Sequence, residues 1–385
     1  VGIPGEDSKN VMSAVEMLTQ WLPLSSVIWA LRVASSWRRG LTATVVWALA
    51  DVFRERIDFG SNLLTEQYGS RVQLDKSRLF DGLDGYKKLL QTDIDVVLLC
   101  TPPAFRPEHL AAAIDAGKHI YAEKPVAVDV PGVLSVLESA RLAKLKNLVI
   151  LDGFCWRYDK ANEEAHRKLS SGELGRVLSF DGLYYTTPPK SPLALDSRPS
   201  SDTDVAWALR NWTAWNWLSG GQFVEQIVHT IDGMVWSMNE QLPLAAFGSG
   251  GRAQRRDDGD VWDHYDVYFE YDHNVAAHIS CRQWVGCHGE IVDRTVCEKG
   301  MLVTPYRPHI QADKRWRFRG ERGNMYADTH VAFYRFLRSG TWKQTLESAA
   351  NKTLVAIMGR EAAHTGQRIT WEQIKKSATR LVPED

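Results

Sequence analysis

Two stretches of the sequence carry side chains that can handle a proton. In the first, an apolar run ends in Glu123-Lys124-Pro125, which places an ammonium group at the end of a predicted strand. Such a lysine can hydrogen-bond a substrate hydroxyl, although a surface lysine before a turn is an alternative. In the second, Glu225, His229 and Asp232 recur at the spacing of one helical face. An imidazole between two carboxylates on one face forms a candidate acid–base site.

A parallel sheet is predicted to position the lysine. Buried strands are predicted at 45–51, 94–103, 118–125 and 147–154, and the helices next to the lysine are predicted at 107–116 and 131–144. Alternation of strands and helices at this spacing is typical of the α/β class with a doubly wound parallel sheet. Ligands bind such sheets at the carboxyl ends of the strands, where Lys124 falls.

The stretch CTPPAFRPEHLAAAIDAGKHIYAEKPVAVD resembles the Gfo/Idh/MocA oxidoreductases, and the resemblance extends over roughly residues 45–385. It implies a Rossmann-type NAD(P)-binding domain at residues 1–154. It also implies an α+β domain for substrate binding and dimerisation at residues 155–385, with a large open, mostly antiparallel sheet. Closing helices would pack back on the first domain, and the C-terminal sheet would form a homodimer or homotetramer.

The resemblance implies roles for the acid–base residues. Lys124 and His229 would bracket the carbinol of a sugar, cyclitol or glycoside, and Glu225 would orient His229. Asp232 would hold a substrate hydroxyl. The family has aspartate where this sequence has Glu225, which predicts a difference in substrate. Three further residues are predicted to bind substrate, with an ion-pair role as the alternative for the first of them: Arg157, Tyr158 and Trp212.

The predicted cofactor is NAD, with NADP less favoured. Asp51 closes the second predicted strand, where a carboxylate can accept hydrogen bonds from both ribose hydroxyls and repel a 2′-phosphate. A role at the start of the following helix is the alternative for Asp51. Four more residues are predicted to contact the cofactor: Thr101, Pro102, Glu123 and Lys124.

Residues 1–44 depart from the family pattern. A dinucleotide-binding domain should open with a strand and a glycine-rich turn, because only glycine lets the backbone approach the pyrophosphate. This segment has Gly2, Gly5 and Gly40, the chain contains no G-x-G-x-x-G, and ALRVASSWRRGLTAT stands where the turn should be. We interpret this as a local frameshift or a wrong gene start. If the sequence is genuine, weakened cofactor binding is predicted.

The predicted function is therefore NAD-dependent hydride transfer at a secondary alcohol of a sugar, cyclitol or glycoside. One alternative is redox-neutral glycoside cleavage with tightly bound NAD, in which oxidation is followed by elimination, hydration and reduction. A second alternative is a non-catalytic protein that senses a nucleotide or a sugar, which the missing glycine turn favours.

Bulk composition indicates which broad classes of protein the chain can belong to. The chain has 385 residues, which predicts two domains, and its 44% hydrophobic and 24% charged residues are typical of globular proteins. A net charge of −1 gives no indication of nucleic acid, and apolar runs are too short for a membrane span. Five cysteines without metal-type spacing indicate reduced thiols in the cytoplasm and no metal site, with a Cys281–Cys287 pair as an alternative. Arg38-Arg39 is similar to a twin-arginine signal, so export is an alternative.

Overall fold

The computed structural model describes residues 28–33, 44–188 and 193–382. The glycines of the first 44 residues and Arg38-Arg39 lie outside the described residues, as does most of the segment for which a frameshift was predicted. The chain forms two compact units. One contains the described residues up to Glu123, with Ser135–Cys155 and Gly323–Glu347, and the other contains Lys124–Leu134, Trp156–Arg322 and the chain from Ser348 onward.

The course of the chain differs from the two continuous domains that the sequence predicts. It passes from the first unit to the second between Cys155 and Trp156, next to the predicted boundary at residue 154. However, the segment after Glu123 already belongs to the second unit, and residues 323–347 return to the first. Lys124 is therefore the first residue of the second unit, and Glu123 is the last residue of a segment of the first.

Strands and helices alternate along most of the described chain. The strands are β1 (Ile28–Val33), β2 (Thr44–Asp51), β3 (Leu79–Asp81), β4 (Val96–Leu99), β5 (His119–Ala122), β6 (Ile150–Asp152), β7 (Val177–Thr186), β8 (Ala245–Gly251), β9 (His264–Glu270), β10 (Ala276–Gln283), β11 (Glu290–Cys297), β12 (Gly300–Thr304), β13 (His309–Ala312), β14 (Trp316–Arg317) and β15 (Ile369–Thr370). The helices are α1 (Arg54–Tyr68), α2 (Gly85–Leu90), α3 (Arg106–Asp115), α4 (Val130–Leu145), α5 (Lys160–Ser170), α6 (Asp204–Arg210), α7 (Asn216–Ser219), α8 (Gln222–Glu225), α9 (Val228–Ser237), α10 (Met325–Ser339), α11 (Leu346–Thr365) and α12 (Trp371–Ile374).

The first unit is built on a six-stranded sheet in the order β3-β2-β1-β4-β5-β6. Strands β2 and β3 pair in parallel, as do β4 with β5 and β5 with β6. Every residue of β4 and β6 is buried, as expected for apolar strands covered on both faces. The predicted Rossmann-type sheet of the α/β class is confirmed.

Local sequence features explain where helix α3, which precedes the strand before the candidate lysine, begins and ends. Pro107 lies in the first turn of α3, where its missing N–H and fixed φ are tolerated, and Gly117 with a φ of +69° follows the helix end. The side chain of Arg106 is buried, and its Nη2 donates to the carbonyl of Thr101. This contact ties the start of α3 to the loop that follows β4.

Strand β1 runs in the opposite direction to its neighbours. Ile28 pairs with Ala50 and with Leu99, both at the carboxyl ends of their strands, and Val33 pairs with Thr44. The chain therefore enters β1 at the carboxyl edge of the sheet and leaves it at the opposite edge. Residues 34–43 alone join β1 to β2, which suits antiparallel neighbours but is shorter than the dozen or so residues that a parallel crossover needs.

The second unit contains a nine-stranded sheet in the order β14-β13-β12-β11-β7-β10-β9-β8-β15. Strands β7 and β10 pair in parallel, while the other pairs are antiparallel. In β9, Tyr265, Val267 and Phe269 are buried, while Tyr268 between them is 40% exposed. The predicted open, mostly antiparallel sheet is confirmed, and its role in dimerisation stays a prediction.

Two sequence-based expectations concern cysteines and membranes. All five cysteines are free thiols, with Cys281 buried in β10 and Cys287 exposed. In the part of the chain that the structure describes, the helices are too short or too polar to cross a membrane.

Acid should destabilise the first unit through His330. Its ring is buried 4.2 Å from the ring of Tyr121, and burial lowers the pKa of His330 from 6.5 to about 3. Below pH 6.5 His330 binds a proton in the unfolded chain. In the folded protein it binds a proton only below about pH 3. The free energy of unfolding should therefore fall as the pH drops through this window, by up to about 1.4 kcal/mol per pH unit for one such group.

Replacement of His330 by phenylalanine should make this loss shallower. Urea unfolding of His330→Phe between pH 7 and pH 4 measures the difference, and the exposed His288 offers the control variant His288→Phe. Parallel stability curves for wild type and His330→Phe would contradict the prediction.

Candidate active site

Lys124 is held by an ion pair with Glu225. The backbone N–H of Glu123 donates to Leu99 O at 3.0 Å, which extends the pairing of β5 with β4 to the residue before the lysine. The Nζ atom of Lys124 donates to the backbone carbonyl of Glu225 at 2.6 Å and to its Oε1 at 3.1 Å. The side chains of Lys124 and Glu225 are 12% and 18% exposed. The ammonium is therefore fixed by two acceptors of one residue.

The helix that was predicted to carry Glu225 and His229 together is interrupted between them. Helix α8 ends at Glu225 and α9 begins at Val228. Between the two, the N–H of Ile227 donates five residues back to Gln222, and the N–H of His229 donates three residues back to Gln226. The prediction of one continuous helix face is wrong, because hydrogen bonds of unequal span break the regular helical repeat.

The turn before α8 has the conformation that its glycines suggest. Gly220 and Gly221 both have a φ of +80°, which side chains with a Cβ rarely adopt. A Cβ on Gly221 would lie 2.4 Å from Asn216 Oδ1. This tight turn at Gly220-Gly221 directs the chain into the short helix that ends at Glu225.

His229 is partly buried beside an aromatic ring. Its imidazole stacks on Trp156, with the ring centroids 5.0 Å apart and the planes at 26°. Burial, and then the positive charge of Lys124, lower the pKa of His229 well below its ordinary value, against the opposite effect of Asp232. The imidazole is therefore neutral near pH 7 and can accept a proton.

Asp232 lies in a buried charge cluster. Its carboxylate accepts from Arg157 Nε at 2.8 and 3.0 Å and lies 2.6 Å from Lys352 Nζ. The side chains of Asp232 and Lys352 are 2% and 4% exposed. Burial opposes ionisation, but the charges of Arg157 and Lys352 lower the pKa of Asp232, so the carboxylate is charged.

These contacts bear on two predicted substrate roles. Asp232 is enclosed by two cations and positions α9, and its binding of a substrate hydroxyl stays a prediction. Arg157 takes the ion-pair role that was its alternative, and its Nη1 also lies 2.6 Å from Glu240 Oε1. Tyr158 is partly exposed, whereas Trp212 is only 9% exposed and belongs to the core. The substrate roles of Tyr158 and Trp212 stay predictions.

Residues predicted to contact the cofactor lie at one edge of the first unit's sheet. Asp51, Thr101 and Glu123 stand at or just after the carboxyl ends of β2, β4 and β5. Asp51 Oδ1 accepts from the N–H of Phe53 at 2.7 Å, and Thr101 Oγ1 lies 3.1 Å from His109 Nδ1. The contact to Phe53 is the helix-start role that was the alternative for Asp51.

The carboxylates at this edge are acceptors that suit the hydroxyl groups of a ribose of NAD. Asp51 supplies a carboxylate at the end of β2, and Pro102 follows Thr101 after β4. Gly153 leaves room for the Glu123 carboxylate, because a Cβ there would lie 2.5 Å from Glu123 Oε2. The described residues do not supply the usual site for the diphosphate. Strand β1 ends at the opposite edge of the sheet, so it cannot lead into a phosphate-binding turn at the edge where Asp51 lies.

Lys352 is the site residue that the sequence analysis missed. It lies on α11 with Ala349, Thr353 and Ala356, all of which are buried. A single lysine in such an apolar stretch was the available signal, since lysine is rarely buried without a partner. Among the described residues, the acidic, histidine and cysteine side chains form no group that could hold a metal ion.

Removal of the Asp232 carboxylate should destabilise the second unit strongly. Asp232→Ala would leave the buried Lys352 and Arg157 without their common partner, which we expect to cost about 3–5 kcal/mol of unfolding free energy. Glu240, whose side chain is 48% exposed, is the matched control, and Glu240→Ala should cost less than about 1 kcal/mol. Urea unfolding measures both. If Asp232→Ala kept wild-type stability, the positioning role would be wrong.

Two family models match the sequence. One, described as oxidoreductase family, NAD-binding Rossmann fold, matches residues 52–150. The other, described as GFO/IDH/MocA C-terminal domain, matches residues 162–326. The first match begins immediately after β2, so β1 and the segment that precedes β2 lie outside it.

Curated relatives match shorter stretches. The chain is similar to dTDP-3,4-didehydro-2,6-dideoxy-alpha-D-glucose 3-reductase of Actinomadura kijaniata, with 28% identity over 158 residues, 40% of this chain and 43% of that protein. It is 36% identical to levoglucosan dehydrogenase of Pseudarthrobacter phenanthrenivorans over 105 residues, 26% of each chain. It is 27% identical to inositol 2-dehydrogenase of Salmonella typhimurium over 152 residues, 38% of this chain and 36% of that one. The chain thus spans less than half the length of these relatives.

Solved structures show the same fold over most of the chain. Levoglucosan dehydrogenase in complex with NADH has a TM-score of 0.68 and 18% identity, and the match covers 97% of both chains. An oxidoreductase domain protein from Kribbella flavida has a TM-score of 0.70 and 15% identity, covering 94% of this chain and 96% of that one.

Proposed function

The chain belongs to the GFO/IDH/MocA oxidoreductase family, and from this premise we propose that it is an NAD-dependent oxidoreductase acting by hydride transfer on a secondary alcohol of a sugar, cyclitol or glycoside. The observation that carries the proposal is the Lys124–Glu225 ion pair together with the neutral imidazole of His229, whose pKa the charge of Lys124 helps to lower. Relatives named for levoglucosan, inositol and a dTDP-linked deoxysugar support the substrate class.

Lys124 positions and polarises the substrate oxygen in this proposal. Bound NAD supplies the hydride acceptor through its nicotinamide. The ammonium of Lys124 donates to the carbinol oxygen, and its charge stabilises the negative charge that develops there as the proton leaves. Glu225 holds the ammonium in place through its carbonyl and its carboxylate. Glu225 therefore positions Lys124, whereas the sequence had predicted that it orients His229.

His229 moves the proton in this proposal. Its neutral imidazole accepts the hydroxyl proton during oxidation and returns it during reduction. The stacked ring of Trp156 restricts the orientation of the imidazole. Because the pKa of His229 lies well below 6.5, the base stays competent when the pH falls through the ordinary range of histidine.

Loss of either His229 or Lys124 should lower the rate of the chemical step. We expect His229→Ala and Lys124→Met to reduce kcat by about 10²–10⁴-fold, the usual contribution of a general acid–base group. Both kcat and kcat/KM should fall together, since the lost interaction belongs to the transition state. Glu225→Gln should be milder, because an amide oxygen and the unchanged carbonyl still accept from Lys124.

Steady-state kinetics on a panel of aldoses, inositols and aryl glycosides measures these effects. The exposed His288 provides a histidine control, and His288→Ala should keep wild-type rates. Wild-type kcat with a raised KM in His229→Ala would make His229 a binding residue and remove it from the proton transfer.

Asp51 should make the protein prefer NAD over NADP. Its carboxylate at the end of β2 would repel a 2′-phosphate. Asp51→Asn keeps an oxygen that accepts from Phe53 but removes the charge, so it should bind NADP more tightly than the wild type does while the fold is unchanged. Fluorescence titration with both dinucleotides measures the ratio. Equal affinities in the wild type would remove Asp51 from the ribose role.

A further inference from the structure

The contact between Lys124 and Glu225 depends on how two distant segments of the second unit are held together, since the two residues are 101 positions apart in the chain. The first segment, Lys124–Leu134, begins with the lysine, and the second contains the Gly220-Gly221 turn that leads to Glu225. Helix α11 supplies a guanidinium that contacts the backbone of both segments. It belongs to Arg360, whose side chain is 2% exposed.

The Nη1 atom of Arg360 bridges the two segments. It donates to the carbonyl of Val128 at 2.9 Å and to the carbonyl of Gly220 at 2.9 Å. Val128 and Gly220 are both buried, and a buried backbone carbonyl needs a hydrogen-bond donor. One nitrogen therefore holds a carbonyl of the lysine segment at a fixed distance from a carbonyl of the turn.

The orientation of this guanidinium is fixed by its neighbour in the chain. The Nε and Nη2 atoms of Arg360 donate to Glu361 Oε1 at 3.1 and 2.8 Å. A guanidinium is planar and its N–H groups point in set directions, so these two hydrogen bonds direct Nη1 toward the carbonyls of Val128 and Gly220. The carboxylate of Glu361 also supplies the opposite charge that a buried arginine needs.

Helix α11 contacts the same two segments at other points. A Cβ on Gly359 would lie 2.5 Å from the ring of Phe223, so the missing side chain lets α11 approach α8 closely. Earlier on α11, the Oγ1 atom of Thr353 accepts from the N–H of Val126 at 3.4 Å. The helix thus packs against both segments, and Arg360 joins them through a single side chain.

We infer that Arg360 is a positioning residue, which fixes the segment after Lys124 against the Gly220-Gly221 turn and so holds the ammonium of Lys124 at Glu225. Arg360 acts through the backbone on either side of the ion pair. A displacement of a reacting group by about 1 Å costs up to about 10²-fold in rate, so this contact affects the chemical step. The effect on rate rests on the proposed function, whereas the link from Arg360 to the ion pair rests on the hydrogen bonds alone.

Substitution of Arg360 tests the positioning role by separating kcat from KM. Arg360→Met keeps a long side chain but removes every donor, so kcat should fall about 10- to 100-fold while KM changes by less than about threefold. Arg360→Lys keeps the charge and one donor nitrogen, so its kcat should lie between those of Arg360→Met and the wild type. Steady-state kinetics on the sugar with the highest wild-type turnover measures both constants. A kcat within about twofold of the wild type in Arg360→Met, or a rise in KM as large as the fall in kcat, overturns the inference.

Arg252 gives the matched control. It also lies in the second unit and donates to two backbone carbonyls, those of Asp257 and Gly259. These contacts lie within residues 252–259 and do not join the two segments. Arg252→Met should therefore lower the urea midpoint of unfolding but keep kcat within about twofold of the wild type. A fall in kcat as large as that of Arg360→Met would show a general effect of lost stability and would overturn the inference.

A double-mutant cycle distinguishes failure of this inference from failure of the proposed function, because it needs no substrate. If Arg360 holds Lys124 at Glu225, then Lys124→Met should lower the urea midpoint less in Arg360→Met than in the wild type. Lys124→Met and Arg252→Met should have additive effects. If Arg360→Met does not fold, Arg360→Lys takes its place in the kinetics and in the cycle.

The outcomes of the cycle separate the two proposals. Additive effects of Lys124→Met and Arg360→Met overturn the positioning role, even if sugars are oxidised. A non-additive effect in a protein that oxidises no sugar supports the positioning role and rejects only the proposed hydride transfer.

Discussion

The buried carboxylate of Asp232 holds three segments of the second unit at fixed positions. It joins α9 to Arg157, which follows the crossing from the first unit, and to Lys352 on α11. Helix α9 also carries His229, one turn earlier on the same face. Two ion pairs to one carboxylate hold that face in position, so the direction of the imidazole depends on a contact outside the proposed proton transfer. Trp156, next to Arg157 in the chain, completes the support by stacking on His229.

The sequence predicts the framework because the framework depends on short-range signals. Apolar runs mark β4, β5 and β6, and Pro107 and Gly117 mark the two ends of α3. Lys124 could be located for the same reason, since it follows a strand directly. Contacts between distant residues leave no such signal. The spacing of Glu225 and His229 is that of a regular helix, and only the backbone hydrogen bonds of Ile227 and His229 reveal the break between them.

The direction of β1 shows a second limit of sequence patterns. The run Ile28–Val33 is apolar enough for a central strand, but an apolar run has no direction. Direction follows from the length of the next connection, and residues 34–43 are too few for a helical crossover. The reversed direction of β1 affects only the diphosphate part of the predicted cofactor site. Asp51, Thr101 and Glu123 come from β2, β4 and β5, whose mutual geometry does not depend on which way β1 runs.

The charges around Lys124 are balanced locally. Lys124 and Glu225 form a neutral pair, and the imidazole of His229 is neutral near pH 7. The Asp232 carboxylate is likewise compensated by Arg157 and Lys352. In the proposed reaction, the negative charge that develops on the carbinol oxygen is therefore met by the ammonium of Lys124, while the proton moves to a base that carries no charge of its own.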